Sequence, residues 1–237
     1  MNNIYQNYLN ILDRIKNTAD KIGRNYNDIK VLAVSKTQTV DVLVDAINSG
    51  IPILAENYAQ EFRDKYKELA VSKAELNKCE FHFIGHIQSN KVKYIVPNVT
   101  TIHTVDSFRL ANEIDKYANK INKKINILIQ INTSAEANKS GIDPLKCVDF
   151  SQKLLQLKNL NLIGLMTIGT FSDNEKIIRK EFTLLSKCLS AINNENGLNL
   201  KELSMGMSHD FEIAIEHGAT MIRIGTAIFG ERDYSNI

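Results

Sequence analysis

The chain has 237 residues, 43% of them apolar, and 29 basic against 27 acidic side chains leave a formal net charge of +2. That balance carries no electrostatic footprint for nucleic acid, and no run of 18 apolar residues offers a membrane span. Three widely separated cysteines, Cys79, Cys147 and Cys188, with no CxxC pair, argue against a disulfide framework or a structural zinc site. The first residues, Met1-Asn2-Asn3-Ile4-Tyr5-Gln6, are polar rather than signal-like, so the expected setting is a reducing cytoplasm.

Ile4, Tyr8, Ile11, Leu12, Ile15, Ala19 and Ile22 recur at helical spacing, with Gly23 as a stop, and predict an amphipathic N-terminal helix. Eight short apolar runs follow, at 31–35, 52–55, 81–84, 101–104, 125–131, 162–166, 202–205 and 221–224. Their β-branched residues suit strands buried on both faces, as parallel strands are. Helical stretches lie between them, among them Asp41 to Ser49, Phe108 to Lys120 and Glu175 to Ile192. Eight alternating units predict a closed (β/α)8 barrel, an α/β TIM barrel spanning 1–237 as one domain with an extra helix in front. An open doubly wound sheet is the rival, but the first strand ends in Ser35-Lys36-Thr37-Gln38 and lacks the Gly-rich dinucleotide loop.

Functional groups of such barrels gather at the C-terminal strand ends. Lys36 stands at the end of the first strand, against apolar walls that disfavour its charged form. A neutral amine can attack a carbonyl and form an imine; a surface lysine capping the strand is the plainer alternative. The seventh and eighth strands run into Met205-Gly206-Met207-Ser208 and Gly225-Thr226, two small polar loops of the kind that bind phosphate, where glycine permits close backbone approach. Arg223 shares a strand face with Met221 and Gly225 and needs a partner. Either it donates to a ligand such as a pyridine nitrogen, or it pairs with a carboxylate such as Glu56. His82 and His86 are four apart but fall on a strand without the HExxH glutamate, so no metal site is expected. His209-Asp210 reads as the start of a helix.

These residues resemble the YggS/PROSC family of pyridoxal phosphate homeostasis proteins. The likeness is carried by Ala33-Val34-Ser35-Lys36-Thr37, Glu56-Asn57-Tyr58-Ala59-Gln60-Glu61, His82 to Lys91, Gln130 to Glu136 with Lys139-Ser140-Gly141, Gly164-Leu165-Met166, Leu203 to Ser208 and Ile222 to Gly230. The family is similar to the barrel domain of alanine racemase, a fold-type III pyridoxal 5′-phosphate (PLP) protein. The resemblance implies PLP held as a Schiff base on Lys36. It further implies Arg223 facing the pyridine nitrogen, Ser208, Gly225 and Thr226 on the phosphate, and Asn57 and Met205 near the ring. Two departures, Leu54-Ala55 before Glu56 and Thr167-Ile168-Gly169 after Met166, bear on loop shape rather than on those contacts.

The resemblance implies a part in vitamin B6 homeostasis, as a carrier or regulator without catalytic residues of its own. PLP-dependent apo-enzymes are the expected acceptors, and neither nucleic acid nor membrane is an expected partner. An amino-acid racemase is the alternative. Racemisation needs acid-base groups on both faces of the cofactor, and only Glu231 to Ile237 remain after the barrel to supply a second domain. The carrier is therefore the expected role, and a monomer the expected state.

Overall fold

The computed structural model describes residues 4–134, 136 and 139–230. Residues 1–3 and 231–237, at the ends of the expected domain, lie outside the described residues, as does Ala135 of the Gln130–Glu136 motif. Helix α1 (Ile4–Lys21) comes first. It turns Ile4, Tyr8, Ile11, Ile15 and Ala19 into the core, and Gly23 follows with a φ of 67° that favours glycine.

Eight parallel strands then close in sequence order, β1 to β8, with β1 paired to both β2 and β8. They are β1 (Lys30–Val34), β2 (Ile53–Glu56), β3 (Glu80–Phe83), β4 (Thr101–Val105), β5 (Ile125–Gln130), β6 (Leu160–Met166), β7 (Glu202–Ser204) and β8 (Met221–Ile224). The helices between them are α2 (Val40–Asn48), α3 (Ala59–Ala70), α4 (Val92–Ile95), α5 (Phe108–Lys120), α6 (Cys147–Leu154), α7 (Glu175–Asn196) and α8 (Phe211–Glu216), and α9 (Thr226–Phe229) follows β8. The closed barrel and the leading helix are those expected; β8 and α5 keep their expected bounds, most others shift by one or two residues, and α7 runs four residues further than Ile192.

Pleating divides each strand between two environments. Odd and even positions alternate, so Leu32, Val34, Ile53, Ala55, Leu128, Met166 and Met221 fill the barrel interior with Ile84. Val31, Ala33, Leu54, Phe81, Phe83, Leu203, Ile222 and Ile224 face the helical shell in a larger apolar cluster. That cluster buries large side chains completely, Phe62, Phe83, Phe182 and Phe211 among them. Each is worth about 1.5–3 kcal/mol relative to exposure.

Two breaks in register, between Ile102 and Val105 and between Ile127 and Leu128, mark irregularities in β4 and β6 pairing with β5. Gly164 lies at the second, where a Cβ would come within 1.9 Å of the Glu202 carbonyl oxygen. Only a residue without a side chain lets β6 and β7 meet there. No helix among the described residues is long and apolar enough to cross a membrane.

The interior is not wholly apolar. His103 is fully buried on β4, and burial, followed by its charged neighbours, holds its imidazole well below the ordinary value of 6.5. The folded protein therefore keeps His103 neutral where the unfolded chain takes up a proton. Its contribution to stability is complete above about pH 6.5 and is lost as the pH falls below that, at up to about 1.4 kcal/mol per pH unit. The urea midpoint is expected to drop between about pH 7 and about pH 5.5, and a flat midpoint over that interval would contradict the assignment.

Candidate functional site

The parity of β1 places Lys36. Lys30, Leu32 and Val34 share the interior phase, so Lys36, two residues past the strand, falls on that phase at the barrel's C-terminal mouth. The loop that holds it is braced from behind. Ser35 Oγ donates to Glu56 Oε1 at 2.7 Å, and Lys65 Nζ donates to the Ser35 carbonyl at 2.9 Å. Lys65 also pairs with Glu56 at 3.1 Å and with Glu61 at 2.5 Å, and Glu61 accepts the Thr37 amide at 2.6 Å. Thr37, with a φ of 66°, is one of two non-glycine residues in the left-handed region among the described residues. Such a conformation persists only where the surroundings over-determine it, and the Glu61 contact does so directly after the lysine.

Glu56 therefore answers to Lys65, not to Arg223. It occupies the outward phase of β2 and is completely buried between barrel and helix α3. Desolvation pushes its carboxyl upward against the opposing pull of Lys65 and Ser35. The suggested Glu56–Arg223 pair is thus corrected, because the two side chains lie on opposite sides of the barrel wall.

Arg223, on the interior phase of β8, is 5% exposed. Its Nη1 donates to Ser204 Oγ at 2.9 Å and its Nη2 to the Thr167 carbonyl at 2.8 Å. Burial pulls its pKa down to about 10, and Asp210 opposes that fall, so the group stays a cation at neutral pH. Of a guanidinium's five N–H donors, two are engaged in these bonds, and the same side chain lines the mouth cavity.

That cavity measures about 480 Å³. Lys36, Asn57, Ser208, Arg223, Gly225 and Thr226 all line it, although they come from four different strand ends. Asn57 is brought in by Gly85, where a Cβ would lie 1.8 Å from the Asn57 carbonyl oxygen. Asp210 shapes the loop before Ser208, its Oδ1 accepting the Met207 amide at 2.6 Å. Gly225 precedes the one-turn helix α9, with Thr226 as its first residue.

Met205 is not part of this set. Ser204 takes the inward phase of β7, so Met205 turns outward and is fully buried in the shell cluster. Gly206 is required by packing. Its φ is 91°, and a Cβ would sit 2.6 Å from Ala214 Cβ on α8. His82 and His86 diverge, the first buried within the barrel and the second 62% exposed beside Asp106. Among the described residues no cluster of three or more candidate metal ligands occurs.

Ile168, Phe171, Met207 and His209 also line the cavity without having been singled out for it. His209 lies one residue before Asp210, the cap of α8, and its ring packs edge-on against Phe171 with centroids 4.9 Å apart. The loop carrying Ile168 and Phe171 is anchored by Glu181, which accepts from the Thr170 amide at 2.7 Å and hydroxyl at 2.6 Å. The departure from the family pattern at Thr167-Ile168-Gly169 therefore does touch the site, through the Thr167 carbonyl on Arg223 and the Ile168 side chain.

A buried cation, a lysine amine and two hydroxyl-bearing loops around one cavity suit a ligand with an anionic group, a hydrogen-bond-accepting ring and an electrophilic carbon. Comparison with known proteins agrees. The profile of the family described as alanine racemase, N-terminal domain, matches residues 11–233. A protein of Aquifex aeolicus called pyridoxal phosphate homeostasis protein is 41% identical over 224 residues, covering 94% of this chain and 96% of its own. A crystal structure of an unknown protein from Bifidobacterium adolescentis superposes with a TM-score of 0.87 at 36% identity, covering 95% of this chain and 94% of that one. The structure of PipY from Synechococcus elongatus with PLP bound superposes with a TM-score of 0.79 at 29% identity, covering 91% of this chain and 99% of that one.

The brace behind Lys36 is open to test by mutation. Lys65→Met leaves Glu56 buried without its counter-charge and is expected to cost about 3–5 kcal/mol in urea unfolding. Glu56→Leu combined with Lys65→Met leaves no buried charge unpaired and is expected to recover most of that loss. A single variant as stable as the parent protein would show that the pair does not hold the loop.

Proposed function

From the premise that this chain belongs to the alanine racemase N-terminal domain family, alongside the pyridoxal phosphate homeostasis proteins, we propose that it holds PLP on Lys36 as a Schiff base and serves PLP homeostasis as a carrier or regulator. The observation that carries this reading is the convergence of Lys36, Arg223, Ser208 and Thr226 on one cavity at the barrel's C-terminal mouth. When bound, PLP supplies an aldehyde carbon with which a lysine amine condenses.

The chain's own residues do the rest. Ser208 and Thr226 offer hydroxyl donors, and the Thr226 and Ala227 amides that open α9 precede its first hydrogen bonds, which start at Ile228. Arg223 stays protonated and would offer an N–H to the ring nitrogen of bound PLP. A permanent donor there leaves that nitrogen without a proton of its own, which weakens the ring as an electron sink. That suits retention better than carbanion chemistry. Asn57, beside Lys36 on the cavity wall, is assigned to the ring or its substituents. Met205 acts from the shell, as packing behind the strand that carries Ser204. The cavity is wide-mouthed, with Ser208, His209 and Thr226 reaching solvent. An attachment that water and incoming amines can reach is released more readily than an enclosed one, and apo-enzymes that need PLP are the proposed acceptors.

Lys36→Ala is expected to abolish the visible absorbance that PLP develops on the protein, and borohydride should then trap no PLP. Trapping on another lysine, such as Lys139, which pairs with Glu136 at 2.7 Å, would displace Lys36 from its role. Arg223→Glu is expected to weaken PLP binding or shift its absorption band; an unchanged spectrum would remove Arg223 from the ring. PLP-loaded protein mixed with an apo PLP-dependent enzyme is expected to activate it, with negligible racemisation of L- or D-alanine. Racemisation near the enzyme median of about 10 s⁻¹ would favour a racemase instead.

A further inference from the structure

Arg223 is one end of a hydrogen-bonded chain that runs through the barrel to its opposite mouth. Ser204 Oγ, which accepts from Arg223 Nη1, lies 2.9 Å from His103 Nδ1. His103 Nε2 lies 2.9 Å from His82 Nδ1, and His82 Nε2 lies 3.4 Å from Glu80 Oε2. Ser204 and His103 are fully buried and His82 nearly so. Glu80 has a side chain 59% exposed and faces a second cavity of about 440 Å³ at the N-terminal mouth, lined also by His82, Lys30, Thr101 and Asn126. The Thr100 hydroxyl donates to the same Glu80 oxygen at 2.9 Å.

The chemistry of the two ends selects one direction for every bond between them. A guanidinium can only donate and a carboxylate can only accept. If Ser204 passes its hydroxyl proton to His103 Nδ1, then His103 donates from Nε2 to His82 Nδ1, and His82 donates from Nε2 to Glu80. Each member then donates once and accepts once, and both rings are neutral. The reverse direction would turn the lone pair of His82 Nε2 toward the Glu80 carboxylate, an acceptor facing an acceptor where that nitrogen of the buried ring has no other partner among the described residues. Burial independently favours a neutral His103, between the Arg223 and Lys30 charges that also disfavour its protonated form.

We propose that Ser204, His103, His82 and Glu80 form a polarised relay along the barrel axis, through which the carboxylate at the N-terminal mouth positions Arg223 at the other. The two histidines and Glu80 are positioning residues, acting through Ser204 on the guanidinium. The consequence for PLP rests on Arg223 facing the ring nitrogen as described above, whereas the direction of the chain does not. Aligned bonds polarise one another, so the negative charge of Glu80 favours a Ser204 oxygen that accepts from Arg223. Removal of that charge loosens the hold on Arg223 without altering any group in the mouth cavity.

Two measurements test this. Nitrogen-15 spectra of the PLP-free protein near neutral pH are expected to show His82 and His103 both neutral and both carrying their proton on Nε2. A proton on Nδ1 of either ring, or an imidazolium at either, overturns the relay whatever becomes of the cofactor. PLP titration followed by absorbance then compares the parent protein with Glu80→Ala and Glu80→Gln, substitutions at a solvent-reaching position that spare the folded interior. Glu80→Ala is expected to weaken PLP about fivefold, the lower end of ordinary coupling between distant sites, and to shift its visible band. Glu80→Gln, which keeps an acceptor but not the charge, should fall between the two. Identical bands and affinities in all three overturn the coupling. If the parent protein itself develops no band with PLP, the cofactor reading fails, and the nitrogen-15 result still decides the relay.

Discussion

A guanidinium enclosed by a barrel is the constraint around which this structure is arranged. Arg223 cannot shed its charge to escape the low dielectric, as a lysine or histidine could, so the interior must supply acceptors. It supplies three: the Ser204 hydroxyl at the end of β7, the Thr167 carbonyl just past β6, and the carboxylate of Asp210, the cap of α8, acting at longer range. Each acceptor is then held by something else. Thr167 Oγ1 donates to the Ile131 carbonyl at 3.0 Å and meets the Thr133 hydroxyl at 2.8 Å, while Ser204 is held by His103. The cation thus organises β5, β6, β7 and β8 around one point, and that point is the wall of the mouth cavity.

Lys36 is placed differently. It follows an apolar strand, and the charges that brace its loop lie behind the barrel wall. Lys65 bridges Glu56 and Glu61, and together they brace the Ser35 carbonyl and the Thr37 amide from the outer side, with Glu56 Oε2 left buried without a partner among the described residues. The two networks do not mix, because the pleat of the sheet assigns them to different faces. A fixed cation on one wall and a lysine on another would suit the reversible hold on PLP proposed above, and the same separation keeps Glu56 from neutralising Arg223.

The barrel itself was legible in the chain. Eight apolar runs alternating with helical periodicity can be satisfied only if both faces of every strand are buried, and a closed parallel sheet inside a helical shell does that. The strand-end rule then placed Lys36, Asn57, Ser208, Gly225 and Thr226 on one rim, and strand alternation turned Arg223 inward. These are local properties, of period two or of position along a strand, and one sequence contains them.

Partnership across the barrel was not legible. Glu56 and Arg223 looked like a pair because both are charged and both need a partner, yet which charges meet depends on the phase of separate strands relative to the barrel wall. Met205 and Gly206 fell in a promising loop, but their environment is set by β7 parity and by the close approach of α8. Ile168 and Phe171 carry no polar signal, and their loop reaches the cavity tied down by Glu181 on the helix that follows it, α7. His82 and His103 lie 21 residues apart and meet Ser204 across a further 101. The sequence by itself determined the strands, their parity and the rim; only closure of the sheet decided which interior groups touch, because hydrogen bonds between strands distant in the chain depend on the barrel's register and shear.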